Sequence, residues 1–139
     1  MTLREYMFAM AQAYRQNIRT AVHAGDLGLN GMHVRCLHII AQTPQCTANC
    51  IVKRMGRDKA QIARLVKEML ANGWLLKQPS EQDKRSQVLH LSASGQALQQ
   101  QISQLELQLE QRMLTGLSGE EVAEFKRIAD KLLANLVLE

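Results

Sequence analysis

Four long polar side chains fall within nine residues, Lys59, Gln61, Arg64 and Lys67, with only small Ala60 and Ala63 among them on the same side. Cations suit phosphates, Gln and Arg have the reach and paired donors for base edges, and methyl-sized neighbours let another backbone come close. A second cationic point, Lys84-Arg85, ends the polar stretch that begins at Pro79, and Arg57 stands just ahead of the first group. The chemistry implied is recognition of a polyanion. A solvated amphipathic helix would carry the same residues, so the surrounding chain has to decide between the two.

Other reactive side chains point less firmly. Cys46 and Cys50 stand four apart near a helix start, beside Lys53 and Arg54. A thiolate favoured by the helix dipole and those cations would suit a peroxide or electrophile sensor, whereas cysteine is most often a small buried filler. His33 and Cys36, with His23 or His38 nearby, have weak metal-ligand spacing and lack a His-x-x-x-His pair. Neither a metal nor a cofactor is expected. No Gly-rich phosphate loop, nucleophile elbow or catalytic Cys/His cluster is present, so no catalytic residue is assigned and an enzyme is not expected.

The elements that must hold these residues follow from periodicity and capping. Ile62, Leu65, Val66, Met69 and Leu70 make one apolar stripe, so 59–72 reads as a helix with its cations on the other side. Asp58 is its N-cap, Gln61 can complete a capping box, and Asn72-Gly73 ends it. Before it, Thr47 caps a short helix through Met55, and Gly56 makes the turn, giving a helix-turn-helix. After it, 74–77 and 87–91 read as two strands joined by Pro79 to Ser86, a wing tipped by Lys84 and Arg85. Leu3, Met7, Met10, Tyr14, Ile18 and Val22 define a first helix over 2–24. Gly25, Gly28 and Gly31 punctuate the turn after it, and Asn30 caps a second helix that stops at Thr43-Pro44, with Met32, Cys36, Leu37 and Ile40 inward. Ser92 starts a Gln-rich helix to about Thr115 with a seam of Leu98, Ile102, Leu105, Leu109 and Met113. Ser118 and Glu121 box the start of a last helix, apolar at Val122, Phe125, Ala129, Leu132, Leu133 and Leu136.

The chain has 139 residues, 46% apolar and 4% aromatic, enough for one good core and biased toward helix. Its net charge of +4 is unevenly placed: 46–90 holds nine positive and four negative side chains, a net of +5, and the remainder is near neutral. That pattern favours a polyanion-binding module on a neutral scaffold. No run of apolar residues is long enough for a membrane span, and the three cysteines fit reduced thiols, so a cytoplasmic protein without membrane contact is expected.

At 29–95 the chain resembles the winged helix-turn-helix of the multiple antibiotic resistance regulator (MarR) family. The resemblance rests on Arg57-Asp58-Lys59, Ile62-Ala63-Arg64-Leu65-Val66, Asn72-Gly73-Trp74-Leu75, the wing Pro79-Ser80-Glu81-Gln82-Asp83-Lys84-Arg85, and Leu91-Ser92-Ala93-Ser94-Gly95. Cys50 and Val52 depart from the acid and the small residue usual in the first motif helix. The resemblance implies a mainly α fold with a small β-hairpin wing, and a homodimer joined by terminal helices at 1–28 and 96–139. It implies a transcriptional regulator, usually a repressor, on pseudo-palindromic double-stranded DNA. Arg85 would touch DNA with Asp83 steadying it, and Lys59, Ala60, Gln61 and Arg64 would meet the major groove, flanked by Arg57, Lys67 and Lys84. It also favours a cleft for a small apolar or aromatic effector, for which Met7, Met10, Tyr14, Met32 and Cys36 are the candidate lining. Two alternatives are a thiol-sensing regulator of the same family and a winged-helix scaffold that binds protein instead of DNA.

Overall fold

The computed structural model describes residues 1–24 and 27–137, which form two compact units, Met1–Glu106 and Leu107–Glu139. Gly25 lies outside the described residues. The first unit opens with α1 (Leu3–Ala24) and α2 (Gly31–Gln42), followed by α3 (Ala48–Met55) and α4 (Lys59–Ala71). A hairpin of β1 (Leu75–Pro79) and β2 (Gln87–Leu91) comes next, and α5 (Ala93–Met113) crosses into the second unit, which ends in α6 (Gly119–Leu136).

Caps set most of these boundaries. Thr47 Oγ1 accepts the Cys50 N–H at 3.2 Å to start α3, and Gly56, at φ 63°, ends it in the left-handed conformation a side chain would resist. Asp58 accepts the Gln61 N–H at 2.9 Å at the start of α4. This is the N-cap half of the expected capping box; the Gln61 side chain, half-buried, does not return a bond to the Asp58 amide. At the other end, Gly73 N–H reaches Leu70 O and Trp74 N–H reaches Met69 O, both at 3.0 Å, a Schellman stop with Gly73 at φ 77°.

The stripe of α4 is buried at Ile62, Leu65, Val66 and Met69, and Leu70 is half-buried at its edge. α4 packs against α2 and α3, and Leu37 and Cys36 of α2, Ile51 of α3 and Cys46 are wholly buried in the same unit. Each fully buried aliphatic side chain contributes roughly 1.5–3 kcal/mol. β1 begins one residue later than the sequence suggests, since Trp74 is still held by the helix stop, and it runs on to Pro79, paired with Gln87. A third short segment joins the hairpin: Thr47 bridges to Val88, and the Leu89 N–H donates to Cys46 O at 2.7 Å. The hairpin is therefore stitched to the start of α3.

Ser92 and Gly95 lock the corner between α4, β1 and α5. Ser92 N–H donates to Trp74 O, Ser92 Oγ donates to Gly73 O and accepts from Gly95 N–H, and Ser94 Oγ adds a second bond to Gly73 O. A Cβ at Gly95 would run into the Trp74 carbonyl far inside van der Waals contact. This explains why glycine stands there, in a helix, where it is otherwise unfavourable.

Several apolar seams are more exposed than periodicity implies. In α1 only Ile18 and Val22 are buried and Tyr14 is half-buried, while Leu3, Met7 and Met10 are open. In α5 Leu98, Ile102 and Leu109 are buried, Leu105 is half-buried, and Met113 is exposed. The Ser118–Glu121 capping box forms as expected, yet α6 buries none of its residues. Among the described residues no helix is long and apolar enough to cross a membrane.

Gly95→Ala is expected to destabilise the protein by about 2–3 kcal/mol through forced displacement of the Trp74 carbonyl. Gly73→Ala is expected to lose about 1–2 kcal/mol through its left-handed backbone. Urea unfolding of both variants checks the order; wild-type midpoints would contradict the corner described.

Candidate nucleic-acid interface

With its stripe held down, α4 turns Lys59, Ala60, Ala63, Arg64 and Lys67 to solvent, all of them exposed. They recur at spacings of one, three and four, so they share one side of a helix about 20 Å long. Gln61 is half-buried at the margin of that side, and Arg57 is exposed in the turn between α3 and α4. The net result is a narrow cationic face with two alanines at its centre.

The hairpin tip is built by Ser80 and Asp83. Ser80 N–H donates to Ser86 O at 2.9 Å, and Ser80 Oγ accepts from the amides of Gln82 and Asp83. Asp83 Oδ1 accepts the Arg85 backbone N–H at 3.0 Å, and its other oxygen accepts from Ser86 Oγ. Asp83 thus shapes the turn through the main chain and does not grip the Arg85 guanidinium. Lys84 and Arg85 are left exposed at the tip. Asp83 and Arg85 are consequently not equivalent: one is architecture, the other a projecting charge.

A cavity of about 550 Å³ opens within the first unit, walled by α1, α2, the end of α3 and Glu106 of α5. Ile18, Val22, Leu29, Val34 and Met55 give it apolar walls, and Arg15, Arg19, Arg35 and Arg57 bring four guanidinium-bearing residues to its lining. His38 Nε2 and Glu106 Oε1 meet at 2.6 Å on one side. Of the residues the sequence suggested for a cleft, Tyr14 and Met32 line this cavity. Met7 and Met10 are exposed elsewhere on α1 and Cys36 is wholly buried in the core, so these three do not line it. Sequence reasoning named Arg57 only as a DNA contact and missed Arg15 and Arg19, because a helix position's apolar period says nothing of which cations a neighbouring helix will bring beside it. It also missed Arg35, whose Nη2 donates to the Arg54 carbonyl at 3.4 Å near the C-terminus of α3.

Three comparisons bear on this arrangement. Residues 27–86 match the sequence model of the MarR family. The chain is 22% identical over 101 residues to the HTH-type transcriptional regulator PetP of Rhodobacter capsulatus, a stretch covering 73% of this chain and 61% of that protein. It spans about three-fifths of that relative's length. Among solved structures, it superposes on wild-type MarR of E. coli in its apo form with a TM-score of 0.79 and 22% identity, over 96% of this chain and 98% of that one. It superposes on the S. aureus MepR–DNA complex with a TM-score of 0.82 and 20% identity, over 98% and 97% of the two chains. The winged-helix fold is therefore shared along essentially the whole chain.

Two of the three thiols follow the buried-filler reading of the sequence. Burial pushes the Cys46 thiol up to about 12, reinforced by nearby Cys50 and Cys36, and Arg54 opposes this only weakly. Burial likewise raises Cys36 to about 12. Desolvation outweighs the cation, so Cys46 is a neutral core thiol and not the thiolate its position suggested. Cys50 is half-buried on the outer side of α3. Among the described residues no group of three or more His, Cys, Asp or Glu side chains is arranged to hold a metal ion. The raised Cys36 and Cys46 values favour folding fully below the ordinary thiol value of 9.0, and that contribution is lost as pH climbs toward 12. Native protein treated with iodoacetamide near about pH 8 is expected to be alkylated at Cys50 alone, with Cys36 and Cys46 reacting only after unfolding. Peptide mass mapping checks this, and early labelling of Cys46 would contradict the buried assignment.

Proposed function

We propose, from the premise that this chain belongs to the MarR family, that it regulates transcription by binding double-stranded DNA as a homodimer. The observation that carries the reading is the exposed face of Lys59, Ala60, Ala63, Arg64 and Lys67, presented on the second helix of a helix-turn-helix beside a hairpin tipped by Lys84 and Arg85. In this reading α4 enters a major groove, with Arg64 and Gln61 at base edges and Lys59 and Lys67 at phosphates. The wing places Arg85 on the adjoining backbone or minor groove.

A dimer is supported by apolar surface left open in each unit. Leu3, Met7, Phe8 and Met10 of the first, and Phe125, Ile128, Leu133 and Leu136 of the second, are all at least 44% exposed. A second copy is the natural cover for such surface. Two copies of α4 would then address half-sites about 10 base pairs apart in an inverted repeat, one helical turn. Occupancy of such a site beside a promoter blocks polymerase, which makes the protein a repressor. Regulation by a small effector is supported by the cavity: apolar walls and arginines fit a compact apolar or aromatic molecule, best one bearing an acidic group. Its binding would alter the separation of the two α4 helices and so their fit to the half-site spacing.

Arg85→Ala is expected to weaken binding to the duplex protected upstream of its own gene and to lower the slope of log affinity against log salt by about one. Arg64→Ala is expected to lose sequence discrimination by about 1–3 kcal/mol at one base position. Gel shifts at two salt concentrations, alongside sedimentation for the dimer, test both; no preference over random duplex, or a monomer throughout, would defeat the reading.

A further inference from the structure

His33 is the one buried polar residue among the described core positions, 3% exposed in the first turn of α2. It takes a place where Glu or Gln is usual: the Asn30 side chain accepts the His33 N–H at 3.0 Å, and His33 Nδ1 accepts the Asn30 N–H at 3.1 Å. With Nδ1 used as an acceptor, the neutral ring carries its proton on Nε2. Nε2 faces α4, 3.2 Å from Glu68 Oε1, on a carboxylate that is 58% exposed. Nε2 is buried and forms no hydrogen bond in the structure, and Glu68 Oε1, on an exposed side chain free to turn, is within 3.2 Å of it. The ring also stands edge-on to Trp74, with centroids 5.3 Å apart, where β1 leaves α4. On the other side of the same turn, Asn30 and Gly31 line the cavity.

We propose that His33 is a positioning residue which, in its Nε2–H form, ties α4 through Glu68 to the capped turn that walls the cavity. A leucine would fill the space without a buried polar atom, so the imidazole is there for the bond Nδ1 accepts from the cap and for the Nε2–H it turns toward Glu68. Glu68 lies one helical turn after Arg64, so holding it fixes the rotation of α4 about its own axis and with it the aim of Arg64. Displacing the Asn30–Gly31 turn from the cavity side withdraws the amide from Nδ1 and frees the ring, so one link joins the cavity to the reading helix. The inference rests on the DNA-binding reading above.

Glu68 variants test it, because its exposure spares the fold where a His33 variant could collapse the cap. Glu68→Gln and Glu68→Ala both remove the charge, but only Gln keeps a carbonyl acceptor for Nε2–H. For a duplex selected from a random pool by the wild-type chain, Glu68→Gln is expected to keep the ratio of selected to random affinity within about twofold, and Glu68→Ala to lower it about tenfold. Affinity for random duplex should change alike in both. Helix propensity runs the other way, since Ala is the better helix former. Equal ratios for the two variants would overturn the proposal. Nitrogen-15 correlation spectra of the imidazole supply an arm that needs no DNA: the Nε2–H tautomer is expected, and a dominant Nδ1–H form would overturn it. A wild-type chain that selects no duplex refutes the DNA-binding reading and the reading role given to α4, while the tautomer still decides the tie between the ring and the cap.

Discussion

The carbonyls of Gly73 and Trp74 form the joint on which the first unit turns. Three donors converge on them from the start of α5: the Ser92 amide on Trp74 O, and the hydroxyls of Ser92 and Ser94 on Gly73 O. These carbonyls lie just past the last turn of α4, where a helix leaves acceptors unmet, so the bonds do two jobs at once. They complete the stop of α4 and fix the direction in which β1 departs. Because Gly95 brings the α5 backbone against Trp74 O with no Cβ between, the three elements meet as one corner. Everything on the cationic side inherits its geometry from that corner, since α4 leads into it and the hairpin leads out.

Charge placement then follows from burial. A stripe of four buried aliphatic and thioether side chains on α4 leaves only the opposite side for cations, and keeping them in water avoids the desolvation that a buried lysine or arginine would meet. Exposed charges act weakly on one another and over a Debye length of about 8 Å at physiological salt. They therefore add little to folding. On the proposed DNA-binding reading their value is to a polyanion whose condensed counterions they displace, and the net excess of +5 over 46–90 puts that charge on one part of the chain.

Local signals were legible and nonlocal ones were not. Thr47, Asp58, Asn72-Gly73 and the Ser118–Glu121 pair announce helix ends because capping is settled within four residues of sequence. The Leu-Ser-x-x-Gly motif could be recognised, but its reason could not, since the atom that excludes a side chain at Gly95 belongs to Trp74, twenty-one residues earlier. The Thr47–Val88 bridge is hidden for the same reason, as one residue on each side leaves no periodic trace. His33 was weighed as a metal ligand because His and Cys at that spacing suggest one; its actual partners, Asn30 and Glu68, sit on a cap and on another helix. For Cys46 the buried-filler reading holds over the sensor reading, because desolvation is a larger effect than a helix start and two cations. Asp83 was expected to steady Arg85, and the contact through which it does so, an Asx-type bond to the Arg85 amide, is one the sequence does not specify.

The second unit carries the constraint that the first does not resolve. α6 is a capped helix of 18 residues with no buried side chain; Phe125, Ile128, Leu133 and Leu136 are 44–65% exposed, and Val122, Ala129 and Leu132 are half-buried. A helix of that length is marginal by itself in water, because nucleation opposes it and propagation returns little beyond one hydrogen bond per residue. A capping box adds of order 1 kcal/mol, too little to make up the difference. The Arg127–Glu124 pair is solvent-exposed and screened, so it cannot supply the remainder either. What is left is the apolar side itself, half-buried at Val122, Ala129 and Leu132 and open at Phe125, Leu133 and Leu136 within the single chain. On the homodimer reading proposed above, the open part of that side is covered by a second copy.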